Sequence, residues 1–198
     1  MSWQIVGGPT DINGEASGNQ SGSSVSLSAD GSVVAIGAKN NDGNGSYSGH
    51  VRIYKNINNA WTQVGADIDG EAAYDNSSES VSLSADGSVV AIGAKLNDGN
   101  GSYSGHVRIY KNVNDTWIKI GDDIDGEAPY DNSGESVSLS ADGSVVAIGA
   151  KNNDGNGTDS GHVRIYKNVN NTWNKVGGDI GGEADHDYSG KSVSLISF

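Results

Sequence analysis

The chain has no cysteine, two prolines, one phenylalanine and three arginines in 198 residues. Without thiols there is no disulfide framework, no thiolate zinc site and no cysteine nucleophile, so small structural units must be stabilised by packing on one another. Basic residues are scarce as well: 12 Lys and Arg face 25 Asp and Glu, a net charge of −13. Such a surface repels nucleic-acid phosphate and anionic lipid while tolerating divalent cations, which excludes nucleic acid as a partner. No apolar run approaches the roughly 18 residues of a membrane span, so membrane insertion is not expected. The opening segment MSWQIVGGPTDINGEA has neither the basic nor the apolar region of a secretory leader, which leaves a cytosolic chain or a Met1 that is not the native start. Apolar residues make up only 34%, against roughly 45–50% in ordinary domains, a count that includes Gly. They gather in short Val and Ile clusters, which fits neither a large-cored domain nor a disordered one.

What the sequence does have is a repeat. SVSLSADGSVVAIGAK begins at Ser24, Ser80 and Ser136, and SVSL begins again at Ser192, a period of 56 residues. The chain therefore divides into a partial repeat (1–23), three full copies (24–79, 80–135 and 136–191) and the first strand of a further one (192–198), together one repeat domain over 1–198. Adjacent copies differ at 10 and 12 of 56 positions. Identity between copies this similar reflects duplication and says little about function.

Each copy reads as four short strands. Val25 and Leu27 alternate with serines, the period of a strand with one buried face. Asp30-Gly31 makes a tight turn. Val33 to Ala38 is apolar on both faces and reads as a central strand. A loop rich in Asn, Asp and Gly leads to His50-Val51-Arg52-Ile53-Tyr54, Asn58-Asn59 turns the chain again, and Trp61 to Val64 forms the fourth strand. The predicted core of the first copy is Val25, Leu27, Val34, Ile36, Val51 and Ile53. The fold class is all-β, with tandem four-stranded antiparallel units as β-propeller blades, because one such sheet buries neither face alone and a row of sheets buries both. The period fits about three and a half times into 198 residues, short of the roughly four to eight blades of a closed ring.

SVSLSADGSVVAIGA, followed by the Gly/Asn/Asp loop and SGHVRIYK, resembles the FG-GAP repeats of integrin α-subunit propellers and related surface proteins. Gly37-Ala38-Lys39 keeps the Gly-Ala of the GAP element with Lys where Pro would stand, and Ser24 sits near where the Phe of the FG element would be. The resemblance implies a propeller, an extracellular or cell-surface location and roles in adhesion or protein binding. The family's calcium loop has no match in the short Ala29-Asp30-Gly31 turn.

Two oxygen-rich segments are metal candidates, calcium being the ion implied. Asn40 to Gly45 and its copies hold one carboxylate each and read better as turns. The link between copies is richer: Asp67, Asp69, Glu71 and Asp75, then Asp123, Asp125, Glu127 and Asp131, with Gly181 replacing the middle Asp in the third copy. Its alternative reading is a solvated acidic loop. His50, His106 and His162 share one repeat position and Arg52, Arg108 and Arg164 another two residues on, which suggests a hydrogen-bonded His and a structurally paired Arg. Trp3, Trp61, Trp117 and Trp173 read as outer-strand packing or as sugar-stacking platforms.

Three near-copies supply largely the same residues in triplicate, with Asp185-His186-Asp187-Tyr188 the one constellation off the repeat pattern, whereas catalysis needs an asymmetric constellation. The expected function is thus a non-catalytic binding or structural module without a required cofactor. Its partners would be a protein or carbohydrate ligand and other copies of itself, as a closed homo-oligomer or a head-to-tail filament joined through the strands Trp3 to Val6 and Val193 to Ser197. A central-channel hydrolase or lyase is the alternative.

Overall fold

A computed structural model describes residues 11–195. Among these residues there is no helix, and hence none long and apolar enough to cross a membrane. The first blade contains β1 (Ser21–Leu27), β2 (Val33–Ala38), β3 (His50–Ile57), β4 (Ala60–Gln63) and the short β5 (Ile68–Asp69). The second repeats it as β6 (Ser80–Leu83), β7 (Val89–Ala94), β8 (His106–Val113), β9 (Thr116–Lys119) and β10 (Ile124–Asp125). The third does so as β11 (Ser136–Leu139), β12 (Val145–Ala150), β13 (His162–Val169), β14 (Thr172–Lys175) and β15 (Ile180–Gly181). All pairing within a blade is antiparallel, in the order β1-β2-β3-β4 and its equivalents. None of the three sheets closes into a barrel, so they are the blades of a partial propeller.

Turn chemistry fixes the strand boundaries. Asn58 and Asn59 both have positive φ, 52° and 63°, the geometry that the two-residue hairpin between β3 and β4 needs. At the other turn the Asp30 carboxylate accepts from Ser28 Oγ and Ser32 N, at 2.7 and 2.9 Å. These bonds hold its pKa down at about 2. The outer edge of the blade departs from the expected single strand. β4 pairs with the C-terminal half of β3 and β5 with its start, with Gly65 at φ 74° in the break between them.

The core lies between the blades. Val33, Ala35, Val51, Ile53 and Ile68 of the first blade pack against Leu83, Val90 and Ile92 of the second. The same face of the second blade, Val89, Ala91, Val107, Ile109 and Ile124, packs against Val137, Leu139, Val146 and Ile148 of the third. Across each joint Ser26 and Ser82 accept from the backbone N–H of Leu83 and Leu139, both at 2.9 Å.

This stacking corrects the predicted core. Val34, Val51 and Ile53 are buried, but Ile36 is half-buried and Val25 and Leu27 are 55% and 56% exposed. Their copies Leu83, Val137 and Leu139 are buried, because a blade stands in front of them. The last blade shows the complementary effect: Ile180 is 56% exposed where Ile68 and Ile124 are each 6% exposed. The strand expected at Trp3 to Val6 lies outside the described residues. Residues 192–195 form no strand, although the Leu195 N–H donates to Ser138 Oγ at 2.9 Å, as its equivalents do in the joints.

Candidate functional site

The link after each blade turns back along the Asn/Gly loop of that blade. Gly70 N donates to Gly49 O, Tyr74 N to Ser46 O and Ser77 N to Ser48 O, at 2.7 to 2.9 Å. Gly49, at φ 76°, lies so close to Ser77 that a Cβ there would strike its backbone, so this return requires glycine.

The four acids of each link do not come together. Asp75 and Asp131 are buried at the blade joints, accepting from Ala72 N and Ala128 N and from the amides of Asn97 and Asn153 in the following blade, at 3.0 to 3.1 Å. Asp69 gives its backbone carbonyl to the Arg108 guanidinium at 2.7 Å. Asp125 lies at the same position on β10, and burial followed by the neighbouring Asp123 charge raises its pKa. The remaining two acids divide between neighbours. Asp67 faces His50 and Glu71 faces His106, while Asp123 joins Glu71 and Glu127 faces His162. Three mixed clusters result: Glu15, His50 and Asp67; Glu71, His106 and Asp123; Glu127, His162 and Asp179. In each, the Glu arrives from the preceding link, while the His opens the third strand and the Asp follows the fourth.

The imidazoles are deeply buried at the starts of β3, β8 and β13. His50 Nδ1 lies 3.5 Å from Asp67 Oδ2 and 3.8 Å from Glu15 Oε2. His106 Nδ1 lies 3.9 Å from Glu71 Oε2, and His162 Nδ1 lies 4.0 Å from Glu127 Oε2. Burial lowers the pKa of all three, most for His106, which Arg108 also helps bring down to about 4. They are neutral near pH 7. Nε2 of His106 and Nε of Arg108 are buried with no partner among the described residues.

The arginines carry the structural pairing expected of them. Arg52 Nη1 is 3.7 Å from Glu15 Oε1 and Arg108 Nη1 is 3.4 Å from Glu71 Oε1, while Arg164 meets Glu127 and Asp179. Each of the three ties its blade to the link before it.

The Asn/Gly loops do not fit a calcium site, because their oxygens hold the loop itself. Asn41 Oδ1 accepts from Gly43 N and Asp42 Oδ1 from Tyr47 N, at 2.7 and 2.8 Å, and Asn44 turns its amide donors to the carbonyls of Gly70 and Glu71. Two of the indoles pack at the joints. Trp117 Nε1 donates to Val64 O and Trp173 Nε1 to Ile120 O, at 2.9 and 2.8 Å, each reaching the preceding blade. Trp3 lies outside the described residues.

Two features escaped the sequence reading. Tyr47 with Tyr74, and Tyr103 with Tyr130, form exposed ring pairs with centroids 6.0 and 5.9 Å apart, and all four residues have positive φ. In the third copy Asp159 and His186 take these positions. The second feature is a ladder of alternating charge: Lys39 to Glu79 at 3.2 Å, Glu79 to Lys95 at 3.1 Å, Lys95 to Glu135 at 3.1 Å and Glu135 to Lys151 at 3.3 Å. Its signal was present, as Lys39, Lys95 and Lys151 after each AIGA and as Glu79 and Glu135 before the second and third SVSL.

No curated protein matches the sequence. Among solved structures, a protein assigned as a 6-phosphogluconolactonase from Bacteroides uniformis superposes with a TM-score of 0.55 at 14% identity, over 80% of this chain and 40% of its own. Hydrazine synthase of Kuenenia stuttgartiensis does so at 0.51 and 13%, over 89% and 41%, and Sqt1 of Saccharomyces cerevisiae at 0.51 and 11%, over 85% and 37%. The chain thus spans about two fifths of the length of these structures, and at such identities the likeness concerns the fold alone. The FG-GAP repeat family matches residues 124–166, a segment that runs from the outer edge of the second blade into the third strand of the third blade. The resemblance read from SVSLSADGSVVAIGA and SGHVRIYK is therefore borne out there, and this segment carries FG-GAP repeat sequence within a partial β-propeller.

Proposed function

We propose that the protein is a non-catalytic binding or structural module of the cell surface or extracellular space, which associates with further copies of itself by stacking end blade on end blade. The observation that supports this is the pair of open end faces. Val25 and Leu27 on the first blade are more than half exposed, as is Ile180 on the last. These are the residue types that meet inside the two internal joints, where Ile124 lies in the same cluster as Val137 and Leu139. Face and counter-face are unlike one another, so the contact is head-to-tail and can close into a ring or continue as a filament. The repeated, exposed tyrosine pairs give such an assembly a multivalent surface for a protein or carbohydrate ligand. Sedimentation velocity over a hundredfold concentration range tests the reading. Mass should rise with concentration, and Leu27→Glu should return the protein to a single-chain species. A wild-type chain that stays monomeric throughout refutes it.

A further inference from the structure

The three Glu-His-Asp clusters look alike in sequence, yet the charges around them differ. Lys119 Nζ sits 2.7 Å from Asp123 Oδ1, and Lys175 together with Arg164 holds Asp179. Each of those clusters thus balances two carboxylates with one arginine and one lysine. In the first cluster the matching residue is Gln63, whose neutral amide donates to Asp67 Oδ1 at 2.6 Å. Among the described residues Arg52 is the one cation paired there, facing Glu15 Oε1. Glu15 Oε2 and Asp67 Oδ2 remain turned towards Nδ1 of His50, whose side chain is only 2% exposed; the other neighbour of Oε2 is the Asn41 amide at 3.3 Å.

From Nδ1 to the two carboxylate oxygens the gaps are 3.5 and 3.8 Å, wide for a hydrogen bond. They are close to the separation of about 3.4 Å between two ligands of a tetrahedral ion with bonds of about 2.0–2.1 Å. We propose that Glu15, His50 and Asp67 bind one divalent transition-metal ion of the zinc class. The imidazole selects against calcium and magnesium, which take oxygen ligands. Glu15 and Asp67 are partly exposed, so a fourth position is open to water or to a ligand group. Because Glu15 comes from the link and the other two ligands from the blade, the ion clips the two together. In the second and third clusters lysine supplies the positive charge. The site stands independently of whether copies associate.

The test uses the full chain, stripped with EDTA and dialysed against chelator-buffered zinc, with bound metal measured by elemental analysis and calorimetry. Wild type should hold one zinc per chain. Gln63→Lys, which only installs the residue found in the other two copies, should weaken binding at least tenfold, and Lys119→Gln should raise the stoichiometry to two. His50→Gln should abolish binding, with circular dichroism confirming its fold. Absence of zinc from the wild type, or binding unaffected by Gln63→Lys, overturns the site. A stoichiometry that stays at one in Lys119→Gln overturns the assignment of lysine as the resident cation.

Discussion

Leu27, Leu83 and Leu139 occupy one repeat position with one local sequence, SVSLSADG, and differ in what stands in front of them. Their exposures are 56%, 7% and 5%. Truncation to alanine removes three carbons, a transfer loss of about 2.4 kcal/mol at roughly 0.8 kcal/mol per buried methylene. In the joints a cavity adds to this, so Leu83→Ala and Leu139→Ala should each cost about 3–4 kcal/mol. At Leu27 less than half of the side chain is covered and no closed cavity forms, which limits the loss to about 1 kcal/mol. Urea unfolding followed by tryptophan fluorescence reads these differences, since Trp117 and Trp173 lie in the two joints. The measurement belongs at a dilution where the chain sediments alone, because a second copy stacked on the first blade would bury Leu27 as well. Equal losses at Leu27 and Leu83 in that dilute state would show that stability resides within each sheet, and would refute the account of the core given above.

Gly105, at φ 72°, abuts the Ser133 backbone, so Gly105→Ala should cost several kcal/mol, read as a lowered urea midpoint; Ser102→Ala, on the same loop, serves as the control. Trp117→Phe removes the indole donor to Val64 O and should lose about 1 kcal/mol, while Trp61→Phe leaves that joint intact. Asp30 and Asp142 have pKa values lowered to about 2 by hydrogen bonds from neighbouring serines. A depressed folded-state pKa gives stability that is full above the unfolded value near 4 and fades as pH falls towards 2. Carboxyl titration by NMR should place both groups near 2, and replacing both with Asn should flatten the stability profile between pH 4 and 2. Titration of either near 4 would contradict the turn geometry.

The period-2 alternation, the Asp-Gly and Asn-Asn turns and the two-sided run Val33 to Ala38 made the strands legible, because each is a local property of the backbone. What lay beyond sequence was any property set by a neighbour one repeat away. Val25 and Leu27 carry the same signal as Val137 and Leu139, and only the stacking shows which pair is covered. The link acids misled for the same reason. Asp67 and Glu71 are four residues apart in the chain but belong to different clusters, one serving the blade just completed and the other the blade to come. The arginines were readable, since three cations confined to one strand position in an acidic chain need carboxylate partners. Gln63, which separates the first cluster from the other two, carries no signal until Lys119 and Asp123 are seen in contact.

The lysine–glutamate ladder works as punctuation. At both internal joints a glutamate from the link stands between two lysines, Glu79 between Lys39 and Lys95 and Glu135 between Lys95 and Lys151. A whole unit can be inserted or removed without breaking the alternation, which suits a sequence that has grown by duplication. At the third link the same position is Lys191. A further blade stacked there would bring its own lysine towards Lys151 and Lys191, three like charges where the inner joints have an alternating triplet. The joint between copies is thus marked as different from the joints within one. Salt that screens this repulsion should favour longer assemblies, and dilute buffer should favour the single chain.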